Sequence, residues 1–166
     1  MGTRNTMFKI GYNKKTPNID PIITDELKLR QLSQPTTWEE VNELNLFARL
    51  KKAAMNGWTG GCGLAAVQIG IPVQFAIFKW GDQEFTLLNP EIVECKGKKK
   101  PLREGCLSIP NKEMKVPRYY KIKYLNDGVM KTAKGDKAHI IQHEIDHMNG
   151  ILCSDTAVKS KVVKGF

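Results

Sequence analysis

The chain has 166 residues, 41% hydrophobic and 26% charged, with 26 Lys and Arg against 17 Asp and Glu and a net charge of +9. Residues 1–166 are long enough for a single domain with its own core, and no apolar run is long enough to span a membrane, so no membrane partner is expected. The charge favours polyanionic partners without prescribing a fold, and the scattered Cys62, Cys95, Cys106 and Cys153 form no C-x-x-C pair, which points to a reducing compartment (cytoplasmic, or an organellar matrix) rather than a disulfide framework.

In chain order, a short strand is expected near Phe8 to Ile10, then a polar loop and a helix near Asp25 to Leu32. Met1-Gly2-Thr3-Arg4-Asn5-Thr6 fits the loose myristoylation pattern, but the strand-like stretch right after it weighs against that reading, and no signal-peptide core is present. Thr37-Trp38-Glu39-Glu40 is a capping box that should open a helix running to about Met55. Val41, Leu44, Phe47, Ala48, Leu50 and Ala54 give that helix its core face.

Gly60-Gly61-Cys62-Gly63-Leu64-Ala65-Ala66-Val67-Gln68 follows. Its glycines allow a close backbone approach, and it lacks the Lys-Ser/Thr ending of a phosphate loop. Small residues followed by one amide suit a substrate cleft with a hydrogen-bond donor at its edge. Strands are then predicted near Val73 to Phe78, Glu84 to Leu88, Glu91 to Cys95, Met114 to Leu125 and Val129 to Thr132. Gly81-Asp82 and Asn126-Asp127-Gly128 are hairpin turns. Glu104-Gly105-Cys106-Leu107-Ser108 lies in a loop between these strands; Cys106 is either a thiolate aimed into a cleft or a small buried cysteine.

Gln142-His143-Glu144-Ile145-Asp146-His147 contains an H-E-x-x-H segment. Residues i and i+4 share a helix face, so His143 and His147 can hold one metal ion, with Glu144 beside them to take a proton from water. Ala138, Ile140, Ile141, Ile145 and Met148 cover more than one side, which predicts a buried helix stopped by Gly150. All three histidines of the chain fall here. Three ligands in line on a straight helix cannot surround one ion, so His139 is placed as a substrate-pocket or supporting residue. Leu152 to Phe166 reads as a basic tail, and strands followed by a late helix indicate an α+β fold.

Three segments, Gly61 to Gln68, Glu104 to Ser108 and Gln142 to His147, resemble in type and order the signature motifs of peptide deformylases, and the similarity runs from about Phe8 to Asp155. The resemblance implies antiparallel β-sheets packed around a central metal-bearing helix. It implies removal of the formyl group from N-formylmethionine at the start of new polypeptides. It implies Cys106, His143 and His147 as metal ligands and Glu144 as general acid and base. Gln68 and the backbone N–H of Leu107 would stabilise the oxyanion. Cys62, Gly63 and Gly105 would line the peptide as an added strand. Glu104 would orient a ligating histidine, and Arg118 would balance Glu104 or Asp146. The implied cofactor is one divalent ion, usually Fe(II), with zinc, nickel or cobalt fitting the same ligands. A monomer is expected, with ribosome contact through the basic surface and no sequence-specific reading of nucleic acid.

Some positions depart from that pattern. Asp136 and His139 stand where apolar pocket residues are common, and Glu113 near where an arginine or another long side chain often flanks the substrate. A long C-terminal helix is not expected. Two rivals remain open at this point. One is a metallopeptidase with Cys153 as third ligand, since His143-x3-His147-x2-Gly150-x2-Cys153 has metzincin spacing. The other is an RNA- or ribosome-binding protein with a vestigial site.

Overall fold

A computed structural model describes residues 19–55 and 63–163. The strand expected near Phe8 to Ile10 and the residue Cys62 lie outside that range. Three short helices come first: α1 (Glu26–Leu29), α2 (Trp38–Glu43) and α3 (Leu46–Met55). Strand β1 (Gly63–Ala65) leads into a 3-10 turn at Ala66–Ile69. Strands β2 (Phe75–Trp80) to β6 (Val129–Lys134) follow, with β3 at Gln83–Leu88, β4 at Glu91–Cys106 and β5 at Ile109–Asn126. Helix α4 (Gly135–Met148), the one-turn α5 (Cys153–Thr156) and β7 (Lys159–Val162) complete the order.

The strands form two antiparallel sheets. One is β1-β2-β3; the other is β4-β5-β6 with β7 added to β5. Strand β2 explains how they stack. Phe75, Ala76, Ile77 and Phe78 are buried in succession, as a strand covered on both faces requires. Phe75 and Ile77 join Leu46, Leu50, Ala53 and Ala54 of α3 in one core. Ala76 and Phe78 face the other way, toward Ala138, Ile141, Ile145 and Met148 of α4. Ile122 and Tyr124 of β5 close that second core from the opposite sheet. Helix α4 is therefore enclosed by the two sheets, in an α+β architecture.

Several sequence expectations need correction. The helix from Thr37 is broken in two. The capping box forms as expected, with Glu40 N–H donating to Thr37 Oγ1 at 3.2 Å and Glu40 Oε2 accepting from Thr37 N–H at 3.0 Å. Asn45 then adopts φ 50°, a left-handed residue that ends one helix before the next begins. Arg49 holds the break by donating to the Leu44 carbonyl at 3.3 Å while pairing with Asp20 at 2.7 and 2.9 Å. The helix near Asp25 shrinks to one turn.

The short strand at Glu91 to Cys95 instead runs on to Cys106, so Glu104 and Cys106 end a strand rather than sit in a loop. Residues 96–100 are exposed on both faces and carry no apolar alternation; pairing with β5 keeps them extended. The basic tail contains α5 and β7. The end of α4 is as expected. Gly150 N–H donates to His147 O and Ile151 N–H to Asp146 O, at 3.2 and 2.9 Å, with Gly150 at φ 69°. A side chain there would meet the Arg30 carbonyl oxygen at 2.5 Å. Among the described residues no helix is long and apolar enough to cross a membrane.

Candidate active site

Strand β4 delivers two side chains to the polar side of α4. Glu104 and Cys106 are two residues apart, so both point toward the helix. Helix α4 delivers His139, His143 and His147, one turn apart along the same side. The sulfur of Cys106 is 3.4 Å from His147 Nε2, which is 3.1 Å from His143 Nε2. These three ligand atoms lie within 4.8 Å of one another. One soft thiolate and two imidazoles suit a borderline divalent ion and leave a tetrahedral corner open for chemistry.

Glu104 secures the group from behind. Its Oε2 accepts from His143 Nδ1 at 2.6 Å, and its Oε1 pairs with His139 Nε2 at 2.8 Å. Arg118 donates through Nε at 2.6 Å and Nη2 at 3.1 Å to the two Glu104 oxygens, and its Nη1 pairs with Asp146. Burial opposes the charge of Glu104, but the hydrogen bonds from His139, His143 and Arg118 outweigh it and hold the carboxyl well below the usual range. This arrangement orients Nδ1 of His143 and leaves Nε2 facing Cys106. Burial pulls His143 down, yet bonding to Glu104 and the charge of Glu144 lift it to about 9. His147 is pushed well below its ordinary value by burial and by the charge of His143. Contact with Cys153 and burial push the Cys106 thiol up.

Glu144 is in the opposite situation. It is 1% exposed, and its Oε2 has no partner. Burial raises its carboxyl to about 7, with Glu104 adding and His143 opposing. Gly63 lies against it: a Cβ at that position would overlap the carboxylate. The close approach expected of the glycine segment is thus made to Glu144 itself. A buried carboxylate with one unpartnered oxygen, next to a thiol and two imidazoles, is what an ion with a reacting water would fit.

Gln68 completes the front of the site. Its Oε1 accepts from Ala65 N–H at 2.9 Å, which turns Nε2 toward Ser108 Oγ at 3.1 Å and Cys106 Sγ at 3.7 Å. Leu107 follows Cys106 in the tight turn before β5, half-buried against the α3 core. Gly105 is exposed in β4, where the register with β5 shifts between Glu104 and Cys106. Asp136 is exposed at the start of α4. Glu113 is engaged by Lys161 at 3.0 Å and Arg103 at 3.8 Å.

Two residues acquire roles that the sequence did not suggest. Gln142 donates to Tyr119 O at 2.9 Å and accepts from Tyr119 N–H at 3.0 Å, so its amide pairs with β5 like a strand residue. A buried amide inside an apolar helix was the available signal. Cys153 packs beside Cys106 with Met114 and Val116; only its apolar neighbours hinted at burial.

The family model for polypeptide deformylase matches residues 19–163. A peptide deformylase of Mesorhizobium japonicum is 38% identical over 159 residues, covering 87% of this chain and 89% of its own. The crystal structure of peptide deformylase from Thermotoga maritima aligns with a TM-score of 0.78 at 29% identity, covering 86% of this chain and 100% of that one. A Met-Ala-Ser-bound class I type b peptide deformylase from Acinetobacter baumannii gives 0.73 at 27% identity, over 83% of this chain and 98% of that one.

Proposed function

From the premise that the chain belongs to the peptide deformylase family, and so is a metal-dependent hydrolase that removes the formyl group from N-terminal formylmethionine, we propose which of its residues do the work. Cys106, His143 and His147 hold the ion. Glu144 moves the proton. Gln68 Nε2 and the Leu107 N–H receive the developing oxyanion. The convergence of three ligand atoms beside the unpartnered Glu144 Oε2 carries this reading. It leaves Cys153 out of the ligand set, against the metallopeptidase alternative.

When bound, the ion supplies Lewis acidity that makes water nucleophilic near neutral pH. Glu144 then takes the water's proton at Oε2, and a carboxyl lifted to about 7 is matched to that task. Water oxygen bonds to the formyl carbon while Gln68 and Leu107 donate to the formyl oxygen. Glu144 returns the proton to the departing amine, the C–N bond breaks, and formate leaves. Glu104, fixed by Arg118, keeps His143 from turning; Arg118 also ties Asp146 to the same support. His139, bonded to Glu104, borders the pocket.

Among the described residues, strand β1 is one edge of its sheet. A peptide lying along Gly63, with Gly105 opposite, would extend that sheet and bring its formyl group to Gln68. The Met-Ala-Ser bound by the Acinetobacter baumannii relative supports a short N-terminal methionyl peptide as ligand.

The native ion is Fe(II) in this reading, since a mixed thiolate and imidazole set suits it; zinc, nickel and cobalt suit the same atoms. The enzyme acts as a cytoplasmic monomer and touches ribosomal RNA through its long hairpin. Lys96, Lys121 and Lys134 lie opposite one another on three strands, as do Arg103, Lys115 and Lys159. Glu94 answers Lys96 and Glu113 answers Arg103, and the rows keep a positive excess that suits a polyanion. Co-sedimentation with ribosomes that weakens steeply with salt would support this contact, and no co-sedimentation at low salt would overturn it.

The central test is formate release from formyl-Met-Ala-Ser by the Fe(II)- or Ni(II)-loaded protein beside a Glu144→Ala variant. Release by the first and a loss of at least about 100-fold in the second are expected. Equal rates would sink the assignment of Glu144.

A further inference from the structure

Cys153 has no part in that mechanism, yet it is buried against the machinery. It opens α5 and is 2% exposed. Its Sγ is 3.9 Å from Met114 Sδ and within 4.8 Å of both a His143 ring nitrogen and a Glu104 carboxylate oxygen. Cys106 Sγ is also within 4.8 Å of a His143 ring nitrogen. The two cysteines share one apolar cluster with Met114 and Val116. Their positions differ in one respect that matters. Cys106, 9% exposed, belongs to the group that must meet water and substrate, whereas Cys153 is 2% exposed and its sulfur meets Met114.

We propose that Cys106 and Cys153 form a thiol–disulfide pair, in which Cys153 captures a peroxide-oxidised Cys106 and so removes the metal's sulfur ligand reversibly. This rests on Cys106 being a ligand. A hydroperoxide is small enough to go where water goes, so it reaches Cys106 first. The Cys106 sulfur attacks the O–O bond, becomes a sulfenic acid and releases water. The Cys153 sulfur then attacks that oxidised sulfur; the S–S bond forms, the S–O bond breaks, and the hydroxyl leaves as a second water with the Cys153 proton. Two thiols lose two electrons and one peroxide gains them. The bond requires sulfurs at about 2.0 Å, so the side chains must turn toward each other, which removes Cys106 from the two imidazoles. Without a second thiol, a sulfenic acid continues to the sulfinic and sulfonic acids, which thiols do not reverse.

The test uses zinc-loaded enzyme, because zinc has no redox chemistry of its own. Wild type and Cys153→Ala are treated with hydrogen peroxide, and zinc release, peptide masses and deformylation are followed. Cys153→Ser serves as a second variant of nearly unchanged volume. Both should match wild type before treatment. Wild type should release about one zinc per disulfide formed, with the peptides of Cys106 and Cys153 joined and about 2 Da lighter than their sum. Dithiothreitol and zinc should then restore at least about half of its activity. The variants should gain about 32 or 48 Da on Cys106 and recover less than about a tenth. Zinc loss with Cys106 oxidised but not linked to Cys153 in wild type would overturn the switch and leave the ligand assignment standing. Linkage with zinc retained would overturn the ligand assignment and the switch with it. Linkage of Cys106 to Cys62 or Cys95 instead would overturn the pairing.

Discussion

Glu104 and Glu144 are both buried, both beside His143, and treated in opposite ways. Behind the imidazoles, Glu104 accepts from His139, His143 and both arms of Arg118, and stays ionised. In front of them, Glu144 has an oxygen with no partner and a carboxyl raised to about 7. A carboxylate whose oxygens are occupied is a structural post. One left unpartnered is held near the point where it can both take and give a proton. The difference separates support, from strand β4, from chemistry, on helix α4, across a single imidazole.

Substitutions at the two carboxylates should break in different observables. Glu144→Gln should lower kcat by roughly 10²–10⁴-fold while metal content, read by elemental analysis, stays at one ion. Gln68→Ala, which removes the proposed oxyanion donor on the same front side, should cost about 10²–10³-fold in kcat with little change in metal affinity. Glu104→Gln should act from the other side, weakening metal affinity about 10–100-fold in a competition titration with a chelator. Should Glu104→Gln leave metal affinity intact and abolish only kcat, the division between support and chemistry fails.

The smallest expected effect concerns stability and sharpens the same contrast. In metal-stripped protein, Glu144 binds its proton more tightly folded than unfolded. Its contribution is therefore lost as pH rises from about 4.5 through about 7. His143, raised to about 9, stabilises most below its unfolded value near 6.5 and loses that contribution as pH climbs through 9. Glu104 works the other way: its contribution is present above the unfolded carboxylate value and is lost as pH falls into the acid range. His147, held well below its ordinary value, works against Glu144 below about 6.5, so denaturant titrations should show stability falling from pH 7 to 9, and Glu144→Gln should recover about 3 kcal/mol at pH 8. No recovery at pH 8 in Glu144→Gln would mean that Glu144 is solvated.

How much of this was legible in the sequence follows from how local each cause is. His143 and His147 announce themselves, because helix periodicity alone places them together. The donor at Gln68 and the crowding at Gly63 could be read as a cleft with close backbone, though not that Glu144 is what comes close. The break at Asn45 carries no such signal, since it rests on one residue's φ and on Arg49 being held by Asp20, 29 residues away in sequence. Strand β4 was cut short because a run of exposed lysines carries no period-two signal; the partner strand imposes it. The encounter of Cys106 with Cys153 joins a strand end to a helix start and has no local signature.

The amide of Gln142 has a consequence of its own. A helix stitched by a side chain into the backbone of Tyr119 cannot roll or slide without rupturing two hydrogen bonds. The imidazoles therefore inherit their bearing from a sheet, and on warming the proposed ligands should let go of the cation only when that sheet itself comes apart, so that dissociation of the ion and collapse of the protein become a single event.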